Sequence, residues 1–263
     1  MDQRLGAGAM LLPAAALPDP SARAAAGPAA PQEPSSGDPS LLCPSAADVP
    51  PELSPPEKAQ ALRQLAQQEV ANCRRCLLAG NRTHVVFGEG NPDADLVFIG
   101  EGPGQDEDRT GRPFVGRAGE LLNRMIHAMG LRRDQVYIAN MVKCRPPDNR
   151  PPAPEEVQAC WSFLLRQLEI IRPKVIVTLG NPSTQGLLRT SEGITKVRGL
   201  WRKLPAISPA MEGIDVMPTF HPAYLLRNYS RDCREKVWSD LQQVMRKLGL
   251  KPPAGGRAGS QGP

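Results

Sequence analysis

Four short apolar runs punctuate the middle of the chain, and each stops where polar, proline-rich or glycine-rich sequence begins. They are "ADLVFIG" (94–100), "QVYIANMV" (135–142), "KVIVTLG" (174–180) and "GIDVMPTF" (213–220). Near-continuous apolar runs of this length suit strands buried on both faces. Segments with helical spacing lie between them. In "AGELLNRMIHAMG" the residues Leu121, Leu122, Met125, Ile126 and Met129 share one side, with Gly130 as a stop signal. "APEEVQACWSFLLRQLEII" starts on Pro154 with two glutamates in its first turn, "STQGLL" begins a short helix, and "SRDCREKVWSDLQQVMRKLGL" is a closing amphipathic helix. Strands alternating with helices predict an α/β fold, a parallel sheet covered by helices on both faces in three layers.

Right-handed crossovers between parallel strands put every carboxyl end on one edge, where open α/β sheets bind ligands. The segments that follow the four runs are "EGPGQDED", "KCRPPDN", "NPST" and "HPAYLLRN". Polar and turn-forming residues thus gather on one edge, and one cleft built from four loops is expected.

Composition bounds the folded part. The chain has 263 residues with 24 glycines, 29 prolines and only 4% aromatics, so part of it lacks the apolar content of a packed core. Residues 1–55 are dominated by Ala, Pro, Ser and Gly, "KPPAGGRAGSQGP" ends the chain in the same way, and both are expected to be disordered tails. A helical period first appears in "SPPEKAQALRQLAQQEVANC", where Pro55 and Pro56 mark a start and Leu62, Leu65 and Val70 share a side. One folded domain is therefore expected over 56–249, with a tail from 250 to 263. "AGAMLLPAAALP" is short and broken by Pro13, which argues against a secretory signal, and no run has the ~20 apolar residues of a membrane span. A net charge of +5 is a mild bias toward polyanions that an ordinary basic protein would share.

The stretch "GEGPGQDEDRTGRPFVGRAG" (100–119) is the densest in unusual residues. Gly100, Gly102 and Gly104 give G-x-G-x-G, which completes neither a dinucleotide fingerprint nor a P-loop, and no lysine follows in place. Four acidic residues would also repel a pyrophosphate. An acidic loop suits placement of a carboxylate against a polar or cationic transition state, although acids are also ordinary turn residues. Phe114, between Pro113 and Val115, either plugs the core or offers a stacking face.

Six cysteines are present, and an intracellular protein would hold them as thiols. Cys73 and Cys76 form C-x2-C, while Cys144 and Cys160 are too widely spaced for a usual zinc ribbon. Thiolates from distant segments suit an iron–sulfur cluster, with zinc and simple buried thiols as alternatives. Of the three histidines, His84 and His127 have structural settings, whereas His221 follows a strand on the expected ligand edge. Asn140 stands near a strand's carboxyl end. Its amide can present a donor and an acceptor side by side.

The motifs "GEGPGQDEDRTGRPFVG", "NMVKCRPPDNR", "LGNPSTQ", "GITKVRG" and "HPAYLLRN", together with four of the cysteines, resemble the type-4 uracil-DNA glycosylases, which carry a 4Fe-4S cluster. The likeness runs from about residue 57 to 248 and excludes both tails. It implies a central four-stranded parallel sheet and removal of uracil from single- or double-stranded DNA. It also implies that Cys73, Cys76, Cys144 and Cys160 hold the cluster, with Cys43 and Cys233 as spares. Glu101, Gly102 and Glu107 would fall at the uracil site, and Phe114 at the position that stacks on the base.

Uracil must leave the stack to be cleaved, and is then recognised by stacking and by hydrogen bonds to its edge. Asn140 would read that edge, His221 would stabilise the departing anion, and a carboxylate would support the sugar cation and position water. The best-known uracil glycosylases carry an Asp where this chain has Gly102, so Glu101 is the expected substitute, oriented by Asn149, with Glu107 closing the pocket against thymine's methyl. Leu225 or Leu226 is expected to wedge into the duplex while Arg227 meets phosphate; the alternative has the leucines packed under the final helix. Two rival functions are a covalent uracil binder, whose family carries a histidine where this chain has "TKVRGLW", and a non-catalytic DNA-binding module. The expectation is a cytoplasmic monomer with no membrane contact.

Overall fold

The computed structural model describes residues 52–251. The expected tails and Cys43 lie outside those residues, apart from the segment ends at 52–55 and 250–251. The first helix, α1 (Pro55–Gln64), opens on a cap in which the Ser54 backbone N–H donates to Glu57 Oε2 at 2.8 Å, with prolines in the first turn. A π-helical segment, Leu65–Val70, extends it toward the first cysteine pair.

Six strands form one sheet: β1 (Glu89–Gly90), β2 (Leu96–Gly100), β3 (Tyr137–Asn140), β4 (Val175–Leu179), β5 (Arg202–Lys203) and β6 (Asp215–Thr219), in the order β1-β3-β2-β4-β6-β5. The four inner strands pair in parallel and correspond to the four apolar runs. The two outer strands, each of two residues, are antiparallel additions that blunt the sheet edges. The expected four-stranded parallel sheet is therefore the core of a six-stranded one.

Alternation along the strands sends side chains into two layers. Phe98, Ile138, Val177 and Met217 pack with α3 (Arg117–Ala128) and α8 (Arg231–Lys247) on one face, joined by α7 (Pro222–Arg227). Val97, Ile99, Ile176 and Val216 pack with α4 (Pro154–Ile171) and α5 (Asn181–Leu188) on the other. The result is three layers. Two short helices complete the fold, α2 (Gln105–Thr110) and α6 (Ile194–Val197). α2 falls in the acidic stretch expected to be a loop. Among the described residues no helix is long and apolar enough to cross a membrane.

Register aligns the carboxyl ends. Gly100 of β2 pairs with Asn140 of β3, and Leu179 of β4 pairs with Thr219 of β6. The residues that follow each strand therefore face one another across a single edge.

Candidate active site

A cleft of about 600 Å³ opens at that edge. Its wall includes Glu101 and Gly102 after β2, Asn140 at the end of β3, Gly180 after β4 and His221 after β6, and also Glu107, Phe114, Asn149 and Arg227. The four loops converge as expected.

Asn140 forms the buried floor. It is 1% exposed, and its side-chain Oδ1 has no hydrogen-bond partner. An unpaired buried acceptor costs about 1–3 kcal/mol, so the site holds a carbonyl that only an incoming donor satisfies. Gly100 makes room for it. A Cβ at Gly100 would stand 2.4 Å from Asn140 Oδ1 and 2.6 Å from Phe114 Cζ, so the glycine lets amide and ring share one wall.

Phe114 is 5% exposed, belongs to the core beneath the cleft, and also lines the cleft. One ring thus faces both the core and the cleft. Its centroid lies 5.6 Å from that of His221. The imidazole Nδ1 accepts the backbone N–H of Ala223 at 3.0 Å, which puts the ring proton on Nε2. Burial first, and then the Arg227 charge, push the His221 pKa down to about 4 against the opposing pull of Glu107. The ring is therefore neutral at pH 7 with one N–H to offer.

The two loop glutamates differ. The Glu101 side chain has no hydrogen bond among the described residues, and burial alone raises its pKa above the usual glutamate value. It is a half-buried carboxylate without a charge partner, the setting of a base. Glu107 is already committed. Its Oε1 accepts from the backbone N–H groups of Val115 at 2.9 Å and Gly116 at 3.0 Å, and Oε2 accepts from that of Gly104 at 3.1 Å. It ties the start of α2 to the start of α3, with both carboxylate oxygens engaged by backbone donors.

Other expectations need correction. Asn149 lines the cleft in a left-handed conformation, φ 54°, but its Oδ1 accepts from Arg145 Nε at 2.8 Å and it makes no bond to Glu101. Leu225 is 3% exposed and packed with Val237 and Leu241 of α8 in one core cluster, so it is no wedge. Leu226, one residue on, is 38% exposed, and Arg227 beside it is exposed. The helical turn of α7 decides between the two leucines. Position 102 is closed to a larger side chain: a Cβ there would come 2.8 Å from Cγ2 of the fully buried Val142. Tyr224 also lines the cleft, its ring 5.0 Å from that of Phe220; an aromatic inside "HPAYLLRN" was the available signal.

Beyond the far end of the β3 loop, Cys73, Cys76, Cys144 and Cys160 all line one small cavity with Val70, Arg82 and Phe163. Arg82 Nη1 donates to Cys144 Sγ at 3.3 Å, and the Lys143 backbone N–H donates to Cys160 Sγ at 3.3 Å. Burial pushes the Cys160 thiol up to about 11 and raises that of Cys144. Among the described residues, no three His, Cys, Asp or Glu side chains are grouped to hold a single metal ion. The thiols surround a space instead, and two already receive the N–H···S bonds typical of iron–sulfur sites, so the donor set fits a cluster. Cys233 lies apart on α8. His84 bonds through Nδ1 to the Asp108 carbonyl at 2.9 Å, and His127 is exposed on α3; neither lines the cleft.

A profile of the uracil DNA glycosylase superfamily matches residues 87–242. The chain is 50% identical over 188 residues to a type-4 uracil-DNA glycosylase of Thermotoga maritima, covering 70% of this chain and 94% of the relative. It is 43% identical over 190 residues to a type-4 uracil-DNA glycosylase of Archaeoglobus fulgidus, covering 71% and 93%. A type-5 uracil-DNA glycosylase of Thermus thermophilus is 31% identical over 180 residues, covering 63% and 81%.

Proposed function

Because the chain belongs to the type-4 uracil-DNA glycosylases, we propose that this cleft excises uracil from DNA by reading the flipped base with Asn140, Phe114 and His221 and hydrolysing its glycosidic bond with Glu101. The enzyme is a DNA N-glycosylase of base excision repair, and the covalent or non-catalytic binder is the less favoured reading. The unpaired buried Oδ1 of Asn140 carries the proposal.

Uracil N3–H supplies the donor that Oδ1 lacks, and the amide Nδ2 donates to O4. Cytosine presents an acceptor at N3 and a donor at N4, so it leaves both amide groups facing like partners. The ring stacks on Phe114 after leaving the duplex. The C1′–N1 bond then breaks, its electron pair going to the uracil ring, and Nε2–H of His221 donates to O2 as charge gathers there. A neutral imidazole suits this task, since it stabilises the anion without giving up its proton. The Glu101 carboxylate faces the sugar cation, orients water toward C1′ and takes its proton as the C1′–O bond forms. Uracil leaves as its anion and takes up a proton from solvent, and an abasic site remains. Leu226 enters the vacated stack, and Arg227 meets phosphate.

Cys73, Cys76, Cys144 and Cys160 would hold a 4Fe-4S cluster, which when bound supplies a structural cross-link among three separate segments. Zinc is distinguished by colour, because only the iron–sulfur protein is brown. Every group in this scheme comes from one chain, so a monomer acting on single- or double-stranded DNA suffices. A thiolate-held cluster suits the reducing cytoplasm.

The test is incubation of the purified chain with oligonucleotides carrying uracil or cytosine at one position, scored for abasic sites. Release from the uracil strand alone is expected. Glu101→Gln should slow single-turnover excision about 10²- to 10⁴-fold. The raised Glu101 pKa also sets the acid limb: the free carboxylate is lost as pH falls through a value above the usual 4.5, so the rate climbs with pH there and the limb vanishes in Glu101→Gln. Full activity in that variant removes Glu101 from the chemistry.

A further inference from the structure

Phe114 holds a backbone conformation that its residue type avoids. Its φ is 51°, in the left-handed region, where a bulky side chain is an outlier that persists only if its surroundings impose it. Three restraints do so. Glu107 holds the N–H groups of the two following residues. Gly119 lets the chain pass close, since a Cβ there would stand 2.0 Å from the Phe114 carbonyl oxygen. On the carbonyl side, Arg133 Nη1 donates to Phe114 O at 3.2 Å and Nη2 donates to Pro113 O.

Arg133 stands apart from the other two. It lies in a 3₁₀ turn, Arg133–Gln135, just before β3, and does not line the cleft. Its guanidinium is held in turn by Asn123 Oδ1 at 2.9 Å and by Glu89 at 3.4 Å. A planar fork fixed by other partners can grip two successive carbonyls at once, which a lysine ammonium cannot do with the same geometry. Glu107 and Gly119 also govern the starts of α2 and α3; Arg133 bears mainly on the Phe114 turn.

We infer that Arg133 is a positioning residue for base stacking: from outside the cleft it locks the strained turn that presents the Phe114 ring beside Asn140 and His221. Without it, the carbonyls of Pro113 and Phe114 lose their donors, the backbone relaxes toward negative φ, and the ring leaves the cleft wall. The inference deepens the uracil-excision reading and rests on it.

The test is a double-mutant cycle on the cluster-loaded protein, with Arg133→Met, Phe114→Ala and the pair compared by single-turnover excision and by inhibition with free uracil. Arg133→Met alone should lower kcat/KM about tenfold and weaken uracil inhibition to a similar degree. In the Phe114→Ala background the same change should cost less than about twofold, because the ring it positions is gone. Arg133→Lys, which keeps charge and stem, should lie between wild type and Arg133→Met and supplies the cycle if the methionine variant does not fold. Equal losses in both backgrounds overturn the inference, as does a folded Arg133 variant with unchanged excision and inhibition. Absence of uracil release from the wild-type chain overturns the excision reading itself, so the two failures are distinct.

Discussion

Asn140 ends β3 and Cys144 stands four residues on, yet they belong to regions built on opposite terms. The cleft at Asn140 keeps a buried acceptor unpaired, a phenylalanine in a strained conformation and a carboxylate without a charge partner. The cavity at Cys144 is packed on Val142 and Phe163, and N–H groups already point at two of its sulfurs. The first region leaves an acceptor open, which in the proposed reading a flipped base completes. The second suits a group that stays. One short loop joins them.

The largest effect should come from breaking the rigid side. Cys160→Ser should remove visible absorbance and lower stability by about 4–5 kcal/mol, an amount associated with loss of a metal site, or about 10 °C in Tm for a domain of this size. A stable, colourless and fully active variant would separate the two regions. Crowding the cleft side should do less. Gly102→Asp pushes a side chain into Val142, an overpacking cost of about 1–3 kcal/mol, and should slow excision about tenfold or more. Adding Val142→Ala should recover much of that loss; no recovery would place the obstacle elsewhere. The smallest effect belongs to the rim. Leu226→Ala should slow excision from duplex several-fold and from single strands less, whereas the same change at buried Leu225 should leave that strand preference as it is. Equal excision of both substrates by Leu226→Ala would argue against the wedge.

The parallel sheet was legible in the sequence because strands buried on both faces leave long apolar runs, as in "KVIVTLG". The cleft was legible because one handedness of crossover puts every loop on the same edge. β1 and β5 were not, since two residues cannot show a period. α2 was hidden because six polar residues carry no apolar stripe, and it is held instead by the Glu107 cap. The choice between Leu225 and Leu226 depended on the phase of a short helix. Arg133 gave no signal at all: "LRRDQ" has the look of any solvated turn, and its contacts to Pro113 and Phe114 span about twenty residues.

The unpaired Oδ1 of Asn140 should cost the fold stability while serving recognition. Asn140→Leu, close in volume and without the unpaired oxygen, tests it when thermal stability and single-turnover uracil excision are measured on the same preparation. A Tm equal to or above wild type is expected, because a buried unsatisfied acceptor is removed, with excision slowed by at least about 100-fold. A variant that melts well below wild type yet still excises uracil at the wild-type rate would contradict it.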